Sequence, residues 1–255
     1  MPGLTENPVF MREFNKRMRE RNAFLVPTLY VLTLILVFGS SYLDMSGGDT
    51  QPWQLGQAMF ESLSKLAVIL VGLLVPVFSA GSITIEKEQK TLTSLLMSML
   101  APVSIVVGKL AASVGYVLLV VSTSIPIILL AFLFGGVSLT SFLLHYLSLA
   151  TVAVFLGSLG LLISASFKRS MYAIAFNYGL LALSATLALF AMSYLRGIEY
   201  SLKVPILPYV AFLNPLFFLE AGTRHHWLMF VLFYLCFATL LSYKATNRVR
   251  NAEPI

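Results

Sequence analysis

The sequence predicts an all-α integral membrane protein with six transmembrane helices. Of its 255 residues, 58% are hydrophobic and only 11% are charged, which is too apolar a composition for a soluble domain. The apolar residues come in six runs, and no polar stretch between them is long enough for a separate domain. We therefore expect residues 1–255 to form one membrane domain.

The six predicted spans follow from the apolar runs and from the prolines, glycines and charges that bound them. They cover residues 24–43, 63–85, 105–134, 142–163, 171–195 and 227–243. The third run is longer than one crossing needs, and Pro126 predicts a kink within it. Before span six, a mixed segment holds apolar pieces and three prolines, which predicts a re-entrant segment in the outer leaflet.

The lysines and arginines predict the orientation of the chain. Of these 17 residues, 13 fall on the side of the two termini and three on the opposite side, while Lys65 lies near the end of a span. The asymmetry predicts that both termini lie in the cytoplasm. We attribute the net charge of +6 to topology and to anionic lipid headgroups rather than to nucleic acid.

Residues 7–22 have the pattern of an amphipathic helix. Asn7 is a typical N-cap, and Pro8 suits the first helical position. Phenylalanine and methionine on one side alternate with basic residues on another, namely Arg12, Lys16 and Arg19. We expect this helix to lie in the inner membrane interface, because its apolar stripe would have no use in a nucleic-acid-binding arm.

A charged stretch between spans two and three interrupts the first half of the chain. Glu86, Lys87 and Glu88 lie in the first turn of a helix predicted over residues 86–101, and leucines at helical spacing give it an apolar face. Pro102 predicts the end of this helix. From periodicity alone, such a helix either contacts a partner protein or only rests on the bilayer surface.

The order of residues in this stretch resembles that of a known family. The residues concerned are, in order, Glu86-Lys87-Glu88, Thr91-Leu92, Leu95-Leu96, Pro102 and Gly108-Lys109. The pattern is similar to the segment after the second span of ABC-type export permeases, which are the type-2 permeases with the type V exporter fold. Two positions depart from it, because Lys90 stands where a glycine is common and Thr93 where an acid is common.

The resemblance implies a permease subunit of an ATP-driven exporter in the inner (cytoplasmic) membrane. It implies two copies of a separate ATP-binding subunit, which bind the ATP and Mg²⁺, and a second permease chain of the same or a sister sequence. The 86–101 helix is then the coupling helix, and its expected contact set is Glu86, Lys87, Glu88, Thr91 and Leu95. Reversing the charge of Glu86 and Glu88 together is expected to uncouple ATP use from export and to leave the fold intact.

Several kinds of chemistry have no matching residues in the sequence. It contains no phosphate-binding loop, no paired acids within the spans and no ligand-spaced set for a metal, so we expect neither an enzyme nor a cofactor or metal site. Glu61 and Lys65, one helical turn apart, are either an interfacial ion pair or part of an outer gate. The alternative function is a transmission or scaffold protein that uses an ATPase but moves no solute.

Span four carries a face of small residues at helical spacing. They are Ala153, Gly157, Gly160 and Ser164. Such a face lets helices approach closely, either within the bundle or between two copies of the chain. The sequence leaves both arrangements open.

Overall fold

The computed structural model describes residues 7–19, 22–46, 51–92, 101–202 and 227–251. Within these residues the chain is helical and contains no strand. The helices are α1 (Pro8–Arg19), α2 (Asn22–Ser46), α3 (Pro52–Ala80), α4 (Thr84–Glu88), α5 (Pro102–Ser122), α6 (Ile125–Phe134), α7 (Leu139–Ser166), α8 (Ser170–Leu202) and α9 (Trp227–Arg250). The predicted re-entrant segment before span six lies outside the described residues.

Six segments are long and apolar enough to cross a membrane, which confirms the predicted fold class. They are Ala23–Leu43, Pro52–Glu88, Pro102–Phe134, Leu139–Ser166, Ser170–Ala191 and Trp227–Arg250. Each contains or closely overlaps one predicted span. With six spans, α1, α4, the turn between α7 and α8, and the end of α9 share one side of the bundle, which we call the α4 side.

Prolines and a serine begin several of these helices. Pro52 and Pro102 are the first residues of α3 and α5, a position where proline's missing N–H costs nothing. Ser138 accepts a hydrogen bond from Ser141 N at 3.1 Å and caps α7. Span three is two helices that meet just before Pro126, where the sequence predicts a kink.

Spans two and four form the centre of the bundle. In the most apolar stretch of α7, 72% of residues are buried, against 17% in α2 and in α8. Leu63 and Val71 of α3 meet Leu149 and Leu156 of α7 in the main core, which also includes Val117 of α5. Spans one, five and six therefore leave most of their apolar surface for lipid or for another chain.

The small residues of span four pack inside the chain. Ala153 and Ser164 are fully buried, and Gly157 lies against Leu110 and Val114 of α5. A side chain at Gly160 would clash with Ser79 of α3. Of the two arrangements that the sequence left open, the structure has the intrachain one.

The N-terminal helix α1 packs against α5. Asn7 Oδ1 accepts a hydrogen bond from Val9 N at 3.0 Å, which confirms Asn7 as the N-cap, and Asn7 Nδ2 donates to Ser104 O at 2.8 Å. Gly108 of α5 makes this contact close, because a Cβ there would lie 3.1 Å from both Asn7 and Val9. Arg12, Lys16 and Arg19 are exposed, and their position in a membrane interface stays a prediction.

Candidate functional site

The end of span two is a break in the helix. Helix α3 ends at Ala80 and α4 begins at Thr84, so Gly81–Ile83 form a turn between them. A helix end leaves backbone N–H and C=O groups without intrahelical partners, and in a buried site other groups must bind them. Around this turn, side chains from α1, α5 and α7 do so.

Ser164 of α7 binds the N–H groups that begin α4. Its hydroxyl oxygen accepts hydrogen bonds from Ile83 N and Thr84 N, both at 3.0 Å. Ser164 and Thr84 are fully buried. One buried hydroxyl thus satisfies two N–H groups of another span.

A carbonyl group near the end of α3 is bound by side chains from α1 and α5. Arg17 of α1 donates to Phe78 O at 3.0 Å, and its guanidinium lies 4.7 Å from the centre of the Phe78 ring. Ser113 of α5 donates to the same carbonyl at 3.4 Å. The end of α3 is therefore attached to both α1 and α5.

Lys109 is the most buried charged group at this site, with 1% of its side chain exposed. Its ammonium lies 2.8 Å from Glu86 Oε1 and 3.3 Å from Glu13 Oε1, and it donates to Ser82 O at 3.0 Å. A buried lysine needs such partners, because an unpaired charge away from water is very costly. Lys109 joins α5 to α1, to the turn and to α4.

Lys87 binds the C-terminal end of span four. Its ammonium donates to Ala165 O at 2.6 Å, to Phe167 O at 3.0 Å and to Ser164 O at 3.4 Å. The last carbonyls of a helix have no intrahelical partners and carry partial negative charge. A lysine from α4 is thus the C-terminal cap of α7.

Glu88 binds the N-terminal end of span five. Its carboxylate accepts hydrogen bonds from Ser170 N at 2.7 Å and from Ser170 Oγ at 2.9 Å. The first N–H groups of a helix carry partial positive charge, so a carboxylate there is favourable. Lys87 and Glu88 together hold the two ends of the short turn that connects α7 and α8.

Helix α4 ends sooner than the sequence predicts. Lys90 has a φ of 57°, Thr91 N donates to Glu86 O at 3.0 Å, and Lys90 N donates to Lys87 O at 3.1 Å. These two bonds form a Schellman motif, which usually has glycine at the left-handed position. The predicted helix over 86–101 is thus interrupted at Gln89–Thr91, and residues 93–100 lie outside the described residues. The break falls at the position where the resembled permeases commonly have glycine.

The structure separates the expected contact set into two groups. Glu86 and Lys87 are partly buried and point into the bundle, whereas Glu88 and Thr91 are exposed. Leu95 lies outside the described residues. Whether any of them contacts a partner stays a prediction.

The sequence analysis did not identify several residues that hold this site. From the sequence, Lys109 stands out only as part of a motif and Ser164 only as part of the small-residue face of span four, and Ser170 does not stand out. A lone lysine within an apolar run was the available signal, because it requires an acidic partner. The partner itself could not be derived, since Glu13 and Glu86 fit the requirement equally well.

Glu61 and Lys65 form an ion pair on the opposite half of α3. The Lys65 ammonium lies 2.8 Å from Glu61 Oε1, and 64% of the Glu61 side chain is exposed. This geometry matches the interfacial ion pair, one of the two interpretations. A role in an outer gate stays a prediction.

The chain was also compared with known proteins. A family model described as "ABC-2 family transporter protein" matches residues 8–235, which is most of the chain and includes every described span up to the middle of α9. No curated protein matches the sequence. Because the match covers far more than half of the chain, it establishes the family and agrees with the resemblance seen around Glu86–Lys109. The chain therefore belongs to the ABC-2 family of transporter proteins and is a permease component of an ABC transporter.

Proposed function

We propose that this permease exports its substrate and that the segment beginning at α4 is its contact with a separate ATP-binding subunit. Permeases of this family generally work with such a subunit. In this proposal the partner binds ATP and Mg²⁺, and the chain described here binds neither. The residues proposed to couple the chain to this partner, by direct contact or through the bundle, are Glu86, Lys87, Glu88, Thr91 and Leu95.

The observation that carries the proposal is the number of spans attached to α4. Within five residues, α4 binds α5 through Glu86, the end of α7 through Lys87 and the start of α8 through Glu88. Packed elements joined in this way move together rather than deform one by one. A displacement of α4 by a partner would therefore reach spans three, four and five at once.

The surface available to the partner begins where α4 ends. Glu88, Gln89, Lys90 and Thr91 are exposed, and the Schellman motif ends the helix at this point. In the proposal, Glu88 and Thr91 contact the partner, while Glu86 and Lys87 pass the displacement to the bundle. This assigns different tasks to residues that are adjacent in sequence.

The proposal also fixes the orientation and the assembly. The α4 side faces the cytoplasm of the inner membrane, where ATP is available, as the distribution of lysine and arginine predicts. Two permease chains, identical or sister, enclose the path, and two ATP-binding subunits dock below them. The exposed apolar faces of α2, α8 and α9 offer surface for the second permease chain as well as for lipid.

Native mass spectrometry of the protein gently extracted from its own host tests this assembly. We expect a complex of two permease chains and two ATP-binding chains. A photo-crosslinking residue at Thr91 should then attach to the ATP-binding chain, whereas the same residue at exposed Trp53, on the other side of the bundle, should not. A chain that purifies without any ATP-binding partner, or that crosslinks equally at both positions, would contradict the proposal.

The double charge reversal of Glu86 and Glu88 is a poor test, contrary to the expectation from sequence. A lysine at position 86 would lie beside buried Lys109 and leave it next to a like charge. The variant would lose the bundle contacts as well as any partner contact. Thr91 is the cleaner position, because its side chain is exposed and its hydrogen bond among the described residues is a long one, 3.4 Å to Glu86 O.

A further inference from the structure

The last helix continues beyond the end of its predicted span. The apolar run predicts an end at Tyr243, but α9 is helical to Arg250, which adds about 10 Å at 1.5 Å per residue. These extra turns pack on the protein, since Ala245 is fully buried and 2% of Val249 is exposed. A helix end that only entered solvent would bury neither residue.

The two buried residues belong to a small apolar cluster on the α4 side. Ala245 and Val249 are four residues apart and lie on one face of α9. The cluster combines them with residues from four other parts of the bundle: Ile83 of the turn before α4, Leu92 just after α4, Val106 of α5, and Leu161 and Ala165 of α7. This cluster is separate from the main core.

Leu92 is the member of the cluster that links it to the proposed coupling segment. It follows the exposed residues Gln89–Thr91 directly, yet only 9% of it is exposed. Its burial therefore sets where the chain returns to the bundle after the Schellman motif. The position of residues 89–91 depends on that anchor as much as on α4 itself.

The rotation of α9 at this end is held by a polar contact. Arg248 donates from its guanidinium to Ser166 Oγ at 3.1 Å, next to the end of α7 that Lys87 caps. Lys244 and Arg250 are exposed. The same turns of α9 thus present an apolar face to the cluster and basic residues elsewhere.

We propose that Ala245 and Val249 form a seat for Leu92 and act as positioning residues for the coupling segment. A displacement of residues 89–92 then reaches span six through the apolar cluster, in addition to spans three to five through α4. The inference rests on the proposed function for its coupling role. It does not follow from the family, because residues 245–249 lie beyond the matched region, which ends at 235.

The first test measures how well position 92 is buried, in the absence of any partner. In a Cys236→Ala background, Leu92→Cys is reacted with a maleimide in membrane vesicles. The cysteine should react slowly in the parent protein and about tenfold faster or more with Val249→Asp, because a buried unpaired carboxylate opens the cluster. Val249→Ile should keep the slow rate. Asn251→Asp, an equal charge change at an exposed position two residues away, should also keep it.

The second test measures coupling in the complex with the ATP-binding subunit copurified from the host. We expect Val249→Asp to abolish the stimulation of ATP hydrolysis by the permease, while the complex still assembles, and Val249→Ile and Asn251→Asp to retain it. If Val249→Asp fails to fold, Ala245→Leu is an uncharged alternative. Its added volume should displace Leu92, so that labelling becomes faster and the stimulation of ATP hydrolysis is lost.

The outcomes separate the two proposals. An unchanged labelling rate in both disruptive variants would overturn the seat. Faster labelling with full stimulation of ATP hydrolysis would overturn its role in coupling. If no ATP-binding subunit copurifies with the parent chain, the proposed function fails and the coupling role with it, whereas the labelling result still decides whether Ala245 and Val249 hold Leu92.

Discussion

Among the residues that the structure describes, two helix breaks lie within spans, and they differ in how far other helices bind their polar groups. At the α3–α4 break, Ser82 and Thr84 donate to carbonyls of the preceding turn, and side chains from α1, α5 and α7 bind further polar groups. At the α5–α6 break, Thr123 and Ser124 donate from their own hydroxyls to carbonyls of the preceding turn, at 2.6 and 2.7 Å. A contact to another span accompanies them, between Ser124 Oγ and the Tyr146 hydroxyl at 2.6 Å.

The difference shows which break is suited to transmit movement. A break that is satisfied by its own residues can bend with little effect on its neighbours. A break whose polar groups are bound by three other helices cannot shift without moving them or exposing buried groups. We therefore regard the α5–α6 break as a local kink and the α3–α4 break as the mechanical junction of the chain.

The largest expected loss of stability comes from removing Lys109, the buried cation of the junction. Lys109→Met leaves Glu86 and Glu13 without their shared partner, and breaking a buried pair in this way costs about 3–5 kcal/mol. Unfolding of the purified protein in detergent measures the loss. Lys65→Met is the matched control, because its ion pair with Glu61 is exposed and such pairs contribute about 0–1 kcal/mol. Equal losses in the two variants would show that the buried ion pairs of Lys109 stabilise the protein no more than the exposed pair of Lys65.

A smaller effect is expected from the hydroxyl that links span four to the junction. Ser164→Ala leaves Ile83 N and Thr84 N without their acceptor, and unsatisfied buried groups cost about 1–3 kcal/mol. Thr123→Val is the matched change at the other break. It removes only a local hydrogen bond, which costs about 0.5–1.5 kcal/mol. If the Thr123 variant loses as much stability as the Ser164 variant, the distinction between the two breaks does not hold.

Hydropathy and helix-boundary residues were sufficient to predict the number and place of the spans. They were less successful at the helix ends. Helix α3 begins at Pro52 instead of near Leu63, and α9 continues to Arg250 instead of ending at Tyr243. Hydropathy marks the part of a helix that crosses the membrane, whereas a helix end depends on caps and on packing such as that of Val249.

The charged residues Glu86, Lys87 and Glu88 could be singled out from the sequence, but their contacts could not. Glu86, Lys87 and Glu88 are adjacent in sequence, so their cluster of charge was visible at once. Their partners are distant in sequence: Lys109 lies 23 residues from Glu86, and Ser170 lies 82 residues from Glu88. Only the packing of the spans brings them together. The available signal for the early end of α4 was position 90, which is lysine here but commonly glycine in the resembled permeases.

A substitution at the end of α4 is expected to increase the stability of the protein. Lys90 adopts a left-handed conformation, which costs a residue with a side chain roughly 1–2 kcal/mol relative to glycine. Lys90→Gly should therefore stabilise the protein by about 1 kcal/mol, after the greater entropy of glycine in the unfolded chain is subtracted. Gln89→Gly, one residue earlier at an ordinary φ of −80°, should destabilise it by at most about 1 kcal/mol. Loss of stability in the Lys90 variant would contradict the Schellman motif.

The smallest effect, and the most local, is expected where α4 meets span five. Glu88→Gln keeps an acceptor near Ser170 but removes the charge that favours the first N–H groups of α8. Amide hydrogen exchange at residues 170–172 should become faster, while global unfolding stays nearly unchanged because Glu88 is exposed. Glu61→Gln changes an exposed acid that caps none of the described helices and should leave that exchange unaltered. Unchanged exchange in the Glu88 variant would mean that α4 does not hold span five, and the junction would then act only on spans three and four.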